Sequence, residues 1–225
     1  MAMDVAAVRA RIAAAAARAC RSADEVSIVA VTKGHPLERA REAAAAGLLD
    51  LGENRVQEAL AKQDAWPGAP VRWHLIGHLQ RNKAKLAAGR FALIHSLDSV
   101  RLADALESAA TAAGIVQEVL VEVNVAREPQ KSGVLPEEAP DLVRHAATLD
   151  HLRLRGLMTM APYTPDSAVQ RRAFRQLREL RDRLATSDLD LGVLSMGMSG
   201  DFEIAVEEGA TMVRLGTVLF GERAS

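Results

Sequence analysis

Eight short apolar runs, separated by helix-like stretches, constrain this chain more than any other feature. They cover 27–33, 48–53, 71–77, 92–97, 118–125, 152–160, 191–196 and 212–220. Helical spacing marks 36–46, 54–64, 80–88, 99–113, 136–149, 166–186 and 199–208, and an alanine-rich helix precedes the first run. Strand-like runs alternating with helices predict parallel strands joined by crossover helices. Eight such units suit a closed barrel, an α/β (β/α)8 TIM barrel with an extra N-terminal helix. An open doubly wound sheet is the alternative. The turn after the first run has no G-x-G-x-x-G, and the chain has no P-loop. Pro36 and Pro136 fit first-turn positions, and Gly47, Gly114 and Gly209 fit left-handed helix caps. No Pro/Gly/Ser-rich linker divides the 225 residues, so one unit over 1–225 is expected.

Composition narrows the partners. The formal net charge is -1, so no bulk field recruits nucleic acid or an acidic membrane surface. Cys20 is the only cysteine, which rules out a disulfide framework within the chain and fits a reducing compartment. The alanine-rich N-terminus is broken by Asp4, Arg9, Arg11 and Arg18 and reads as a helix, not a signal peptide or a span. A cytoplasmic monomer with no nucleic-acid or membrane partner is expected.

In such a barrel the active face is the C-terminal mouth of the strands. Lys33 ends the first run there, in Val31–Thr32–Lys33–Gly34–His35–Pro36. Burial pushes a lysine's pKa down and readies its amine to attack a carbonyl and form a Schiff base. A lone strand-end lysine is ordinarily just a solvated one. The segment Ser195–Met196–Gly197–Met198–Ser199–Gly200–Asp201 runs from a strand through small residues into a helix. Such a turn exposes N–H groups to an anion, and Ser199 either donates to a phosphate or caps the helix. Val213–Arg214–Leu215–Gly216–Thr217 adds a close-approach glycine and a hydroxyl, where barrels often bind phosphate. Arg214, inside an apolar strand, needs a partner: a carboxylate such as Glu53 or Glu203, or a ring nitrogen. A guanidinium facing a pyridine nitrogen leaves that nitrogen unprotonated and the ring a weaker electron sink.

Other clusters read as structure. His74 and His78 lack a third metal ligand, and no metal is expected. Met158, Met160, Met196 and Met198 read as core filler. The arginines of 166–186 read as a solvated helix face, partly paired with Glu179 and Asp182.

Val31–Thr32–Lys33, Gly52–Glu53–Asn54–Arg55–Val56–Gln57–Glu58, Trp73 to Lys83, Gly156–Leu157–Met158–Thr159–Met160, Ser195 to Ser199 and Val213 to Thr217 together resemble one family. It is that of the pyridoxal phosphate homeostasis proteins, barrel relatives of the alanine racemase N-terminal domain. The resemblance runs in order along essentially the whole chain. It implies that Lys33 carries pyridoxal 5'-phosphate (PLP) as a Schiff base. It implies that Ser199, Gly216 and Thr217 hold the phosphate with Ser195 nearby, that Arg214 faces the ring nitrogen, and that Asn54 lies close to the ring. Arg55 stands where many relatives carry an aromatic residue, and His78 also departs from the family pattern; neither is given a role.

Two classes follow: a PLP-dependent amino-acid racemase, and a carrier serving PLP homeostasis and amino-acid balance. Racemisation needs an acid/base group on each face of the substrate. Lys33 serves one face. The racemases take the other from a tyrosine on an added domain, which is not expected here, and the only tyrosine, Tyr163, reads as a loop residue. The carrier is therefore the expectation, with no catalytic residue assigned and PLP-dependent apo-enzymes as its partners.

Overall fold

The computed structural model describes residues 4–222. Residues 1–3 and 223–225 of the expected unit lie outside the described residues. Eight strands form: β1 Ser27–Val31, β2 Asp50–Glu53, β3 Arg72–Leu75, β4 Leu93–Leu97, β5 Gln117–Glu122, β6 Leu152–Met158, β7 Val193–Ser195 and β8 Met212–Leu215. Each pairs in parallel with its sequence neighbours, and β8 returns to β1 with Ala30 opposite Leu215, closing the barrel. Strands buried on both faces carry no polar alternation, which is why Ile28–Val31 reads as one apolar run.

The α-helices are α1 Val5–Arg18, α2 Leu37–Ala45, α3 Val56–Asp64, α4 Ala84–Ala87, α5 Val100–Ala113, α6 Ala139–Ala147, α7 Ser167–Leu184, α8 Phe202–Glu207 and α9 Thr217–Phe220. Asp4 caps α1 by accepting from the Ala7 N–H at 2.8 Å. Val8, Ile12, Ala15 and Ala16 then share its buried face, at helical spacing. Gly47, Gly114 and Gly209 adopt positive φ after α2, α5 and α8, as expected. Among the described residues no helix is long and apolar enough to cross a membrane.

Several expectations are corrected. The run 212–220 is not one strand. After Leu215 the hydroxyl of Ser199 accepts from the N–H groups of Gly216 (3.3 Å) and Val218 (3.2 Å), which ends the ladder and starts α9. Pro136 precedes α6, and Pro140 takes its first turn instead. Of the arginines of α7, Arg181 pairs with Asp182 as expected, while Arg171, Arg175 and Arg178 bond outward from their own helix. Arg171 and Arg175 both bind Glu208 and Arg171 also binds Glu207, while Arg178 donates to the Glu208 carbonyl. Arg11 and Arg18 of α1 bind Glu203 and Glu207. Helix α8 is thus strapped to both neighbours by ion pairs.

Alternate strand residues face the barrel interior. Leu93, Leu120 and Met158 form a small apolar cluster separate from the main core between strands and helices. Met160, Val193 and Met212 pack against it, and beside this apolar layer the buried polar side chains of Asp50, His74, His95, Ser195 and Arg214 follow one another across the barrel. Gly156 lets β5 and β6 shift register there, since a Cβ on it would lie 1.9 Å from the Val193 carbonyl oxygen.

Candidate functional site

A cavity of about 610 Å³ opens at the C-terminal mouth of the strands. Lys33, Asn54, Ser199, Arg214, Gly216 and Thr217 all line it, although they come from opposite ends of the chain. Ser195 does not line it: the side chain is fully buried beneath Arg214.

Lys33 is placed by a buried clamp that the sequence does not reveal. Strand β1 stops at Val31, Thr32 still bonds the Gly52 carbonyl at 3.0 Å, and half-buried Lys33 begins the turn to α2. Lys62 of α3 donates to the Thr32 carbonyl (2.8 Å) and to Oε1 of Glu53 (2.6 Å). The same Glu53 oxygen accepts from the Thr32 hydroxyl at 2.6 Å. On the far side of Lys33, Glu58 accepts from the Gly34 N–H at 2.6 Å and from Lys62 at 3.2 Å. Both peptide neighbours of Lys33 are therefore anchored to one ammonium. Burial raises Glu53 above the usual carboxylate range against the pull of Lys62 and Thr32. Burial acts on Glu58 too, but the Gly34 N–H and Lys62 outweigh it and hold that carboxyl low.

Arg214 is held by a relay through the barrel. Neither Glu53 nor Glu203 pairs with it, because these carboxylates bind Lys62 and Arg11. Its Nη1 donates to Ser195 Oγ at 2.7 Å and its Nη2 to the Thr159 carbonyl at 2.9 Å. Contacts of 2.9 Å then link Ser195 Oγ to His95 Nδ1, His95 Nε2 to His74 Nδ1, and His74 Nε2 to Asp50 Oδ1. The ends set the direction. A guanidinium only donates and a carboxylate only accepts. With neutral imidazoles, Ser195 donates to His95, His95 to His74, and His74 to Asp50. Burial, with His74 and Arg214 adding to it, pushes His95 well below the usual imidazole range. Burial would raise Asp50, but hydrogen bonds from His74 and Arg72 bring it down to about 2. Burial lowers Arg214 to about 10 against the attraction of Glu122 and Asp201. Ser195→Ala strands the Nη1 donor and costs about 1–3 kcal/mol, readable as a lower urea midpoint.

The third part is a cradle of backbone and hydroxyl groups. Ser199, Gly200, Gly216 and Thr217 line the cavity. Among the described residues the N–H groups of Ser199, Gly200 and Thr217 carry no backbone or side-chain hydrogen bond. A Cβ on Gly200 would meet nothing within 4 Å, and one on Gly216 would make only ordinary contacts with Val31. Packing within the chain therefore does not require either glycine, and the space over them is open to a ligand. Such free N–H groups suit an anion.

The remaining wall is mixed. Met158 and Met196 are core and Met160 packs against the Leu93–Leu120–Met158 cluster, as expected of filler, although Met160 also lines the cavity; Met198 is exposed there, which corrects its reading as filler. Tyr163 is fully exposed on the rim. His78 pairs with Asp98 at 3.1 Å, and no group of three or more metal-ligating side chains occurs among the described residues.

The family profile for the alanine racemase N-terminal domain matches residues 3–224. A pyridoxal phosphate homeostasis protein of Aquifex aeolicus is 47% identical over 214 residues, covering 95% of this chain and 94% of that protein. One of Pseudomonas aeruginosa is 45% identical over 223 residues, covering 99% and 96%. The chain belongs to the pyridoxal phosphate homeostasis protein family. Among solved structures, that of PipY from Synechococcus elongatus with PLP bound matches with a TM-score of 0.83. It is 39% identical and covers 95% of this chain and 100% of PipY. In this family member, the mouth carries three features on different elements: a lysine on the β1 turn, a guanidinium on β8 and open N–H groups on the β7 and β8 loops.

Proposed function

We propose that this protein holds PLP at the barrel mouth as a Schiff base on Lys33, and that it is a cytoplasmic carrier. It keeps the reactive aldehyde sequestered, supplies PLP-dependent apo-enzymes and so supports amino-acid balance, without robust catalysis of its own. The observation that carries this reading is the convergence of Lys33, Arg214 and the Ser199–Gly216–Thr217 cradle on one cavity. The donor set fits the group. Open N–H groups and the space over Gly200 and Gly216 suit a phosphate, and Lys33 supplies the amine. Asn54 lines the same cavity and would lie close to the ring, and Ser195 would act from below by holding Arg214.

PLP supplies an aldehyde for Schiff-base formation and a ring that withdraws electrons. Here the chain's residues limit that power. A guanidinium, even one lowered to about 10, does not protonate a pyridine nitrogen. Tyr163 is fully exposed and is hydrogen-bonded to no described residue, so it is not held as a second base.

The test is spectroscopic. Incubation with PLP is expected to give a Schiff-base band in the visible, and borohydride reduction followed by peptide mapping is expected to place the added mass on Lys33. A protein that gives no band, or is labelled on another lysine, overturns the reading. Chiral chromatography of several amino acids checks the carrier against a racemase. Turnover of about 1 s⁻¹ or faster, within the ordinary enzyme range, would show an enzyme instead.

A further inference from the structure

Glu122 is the last residue of β5, and its carboxyl faces the cavity while the residue is only 3% exposed. Among the described residues nothing donates a hydrogen bond to that carboxyl, whose oxygens are not sealed in the core but reach the open space of the cavity. Its backbone carbonyl is satisfied by the Val134 N–H at 2.9 Å, so β5 itself is properly paired and only the side chain lacks a partner. A partner for this carboxyl therefore comes from whatever fills the cavity. The barrel order places β5 four strands from β1 in either direction, so Glu122 lies across the mouth from the turn bearing Lys33.

We propose that Glu122 is a ligand-contacting residue of this mouth: its carboxyl holds a proton and donates a hydrogen bond to an oxygen of a bound phosphorylated pyridine, so that retention of the ligand weakens as pH rises. The inference rests on the reading of the mouth as a PLP site. It concerns a residue for which that reading has no use.

The surroundings favour a protonated carboxyl. Burial is the main cause, Asp98 beyond β4 adds repulsion, and together they lift Glu122 to about 7 despite the attraction of Arg214. Asp98 is itself engaged by His78. Asp201, after β7, accepts from the Met198 N–H at 2.6 Å and feels Lys131 and Arg214. Lys33 lines the same cavity from β1, and His95 lies buried on β4 within electrostatic reach of Arg214. A phosphorylated pyridine brings further negative charge into this cavity. It therefore favours the neutral acid, and ionising Glu122 at higher pH opposes binding.

The sign follows. If the anionic ligand raises the pKa of Glu122 above its value in the free protein, binding takes up a proton. Affinity then falls as pH rises above about 7, by up to about tenfold per unit for one linked proton. The probe is pyridoxine 5'-phosphate, which has no aldehyde and forms no Schiff base. Its dissociation constant is measured by equilibrium dialysis from pH 6 to 9 for the wild type and for Glu122→Gln. The expected result is a wild-type affinity that falls relative to the variant above pH 7. Parallel profiles overturn the inference. Calorimetry of the wild type at pH 7.5 in two buffers of different ionisation enthalpy needs no variant. Net proton uptake supports the inference, and no uptake overturns it. A wild type that retains PLP but shows parallel profiles loses only this inference. A wild type that gives no Schiff-base band loses the PLP reading itself.

Discussion

Lys33→Ala is expected to abolish the visible Schiff-base band at every pH while leaving the barrel folded. Among the described residues no other lysine lines the cavity. The proposed phosphate cradle and Arg214 lie on other elements, so the variant is expected to keep a weaker, non-covalent affinity for PLP and for pyridoxine 5'-phosphate. Lys33 is only half-buried and sits in a turn whose neighbours Thr32 and Gly34 are anchored by their own backbone bonds. Its loss should therefore change folding stability by about 1 kcal/mol or less, near the range of an ordinary surface substitution. Absorbance titration and a thermal melt on the same samples check both halves. A persistent band would move the Schiff base to another amine. A collapsed melting temperature would mean that Lys33 is structural.

Lys62→Met is expected to do the opposite, destabilising the protein first and damaging the site as a consequence. Among the described residues the ammonium of Lys62 is the only cation hydrogen-bonded to Glu53, whose carboxylate is wholly buried and whose second oxygen already lacks a partner there. Removing one member of a buried ion pair costs about 3–5 kcal/mol. For a chain of this length that corresponds to a melting temperature lower by about 6–20 °C. The pH dependence has a definite sign. Without Lys62, Glu53 is raised further in the folded state, so the native protein binds a proton that the unfolded chain has released. Stability then falls as pH rises, and the deficit is smaller at pH 5 than at pH 8. Urea denaturation at the two pH values reads this directly. Adding Glu53→Gln to Lys62→Met should recover part of the loss, because no buried charge then remains. A deficit that does not change with pH would show that Lys62 acts only by packing its methylenes. The same substitution removes the donor to the Thr32 carbonyl, so the Lys33 turn loosens and PLP retention weakens even where the protein is folded.

Much of the architecture was legible because it is local. Each strand-like run carries an apolar stretch, and the longer helices repeat their buried face every three to four residues, so both periods show in the residues themselves. The small-residue turn at Ser199 and Gly200 and the hydroxyl at Thr217 are likewise visible as short patterns. Thr217 reads as part of a strand because Val213, Leu215, Val218, Leu219 and Phe220 make the run mostly apolar. The break after Leu215 comes from a hydroxyl on Ser199, seventeen residues before Gly216.

The sequence by itself determined the alternation that closes into a barrel, the lysine after β1, and the small and hydroxyl residues near the far end that line the same mouth. Only the tertiary structure decided what holds them. The clamp on Lys33 joins β1, β2 and α3, and the relay behind Arg214 joins β2, β3, β4, β7 and β8. Buried lysine, glutamate and histidine side chains look like surface residues in a one-dimensional reading, since what makes them tolerable inside is a partner from another strand. Ser195 is buried beneath the guanidinium for the same reason, and Glu122, hydrogen-bonded to no described residue through its side chain, is placed on the cavity wall only by the closure of the barrel. Closing the barrel brings these groups to one axis, and only closure defines which of them face the mouth.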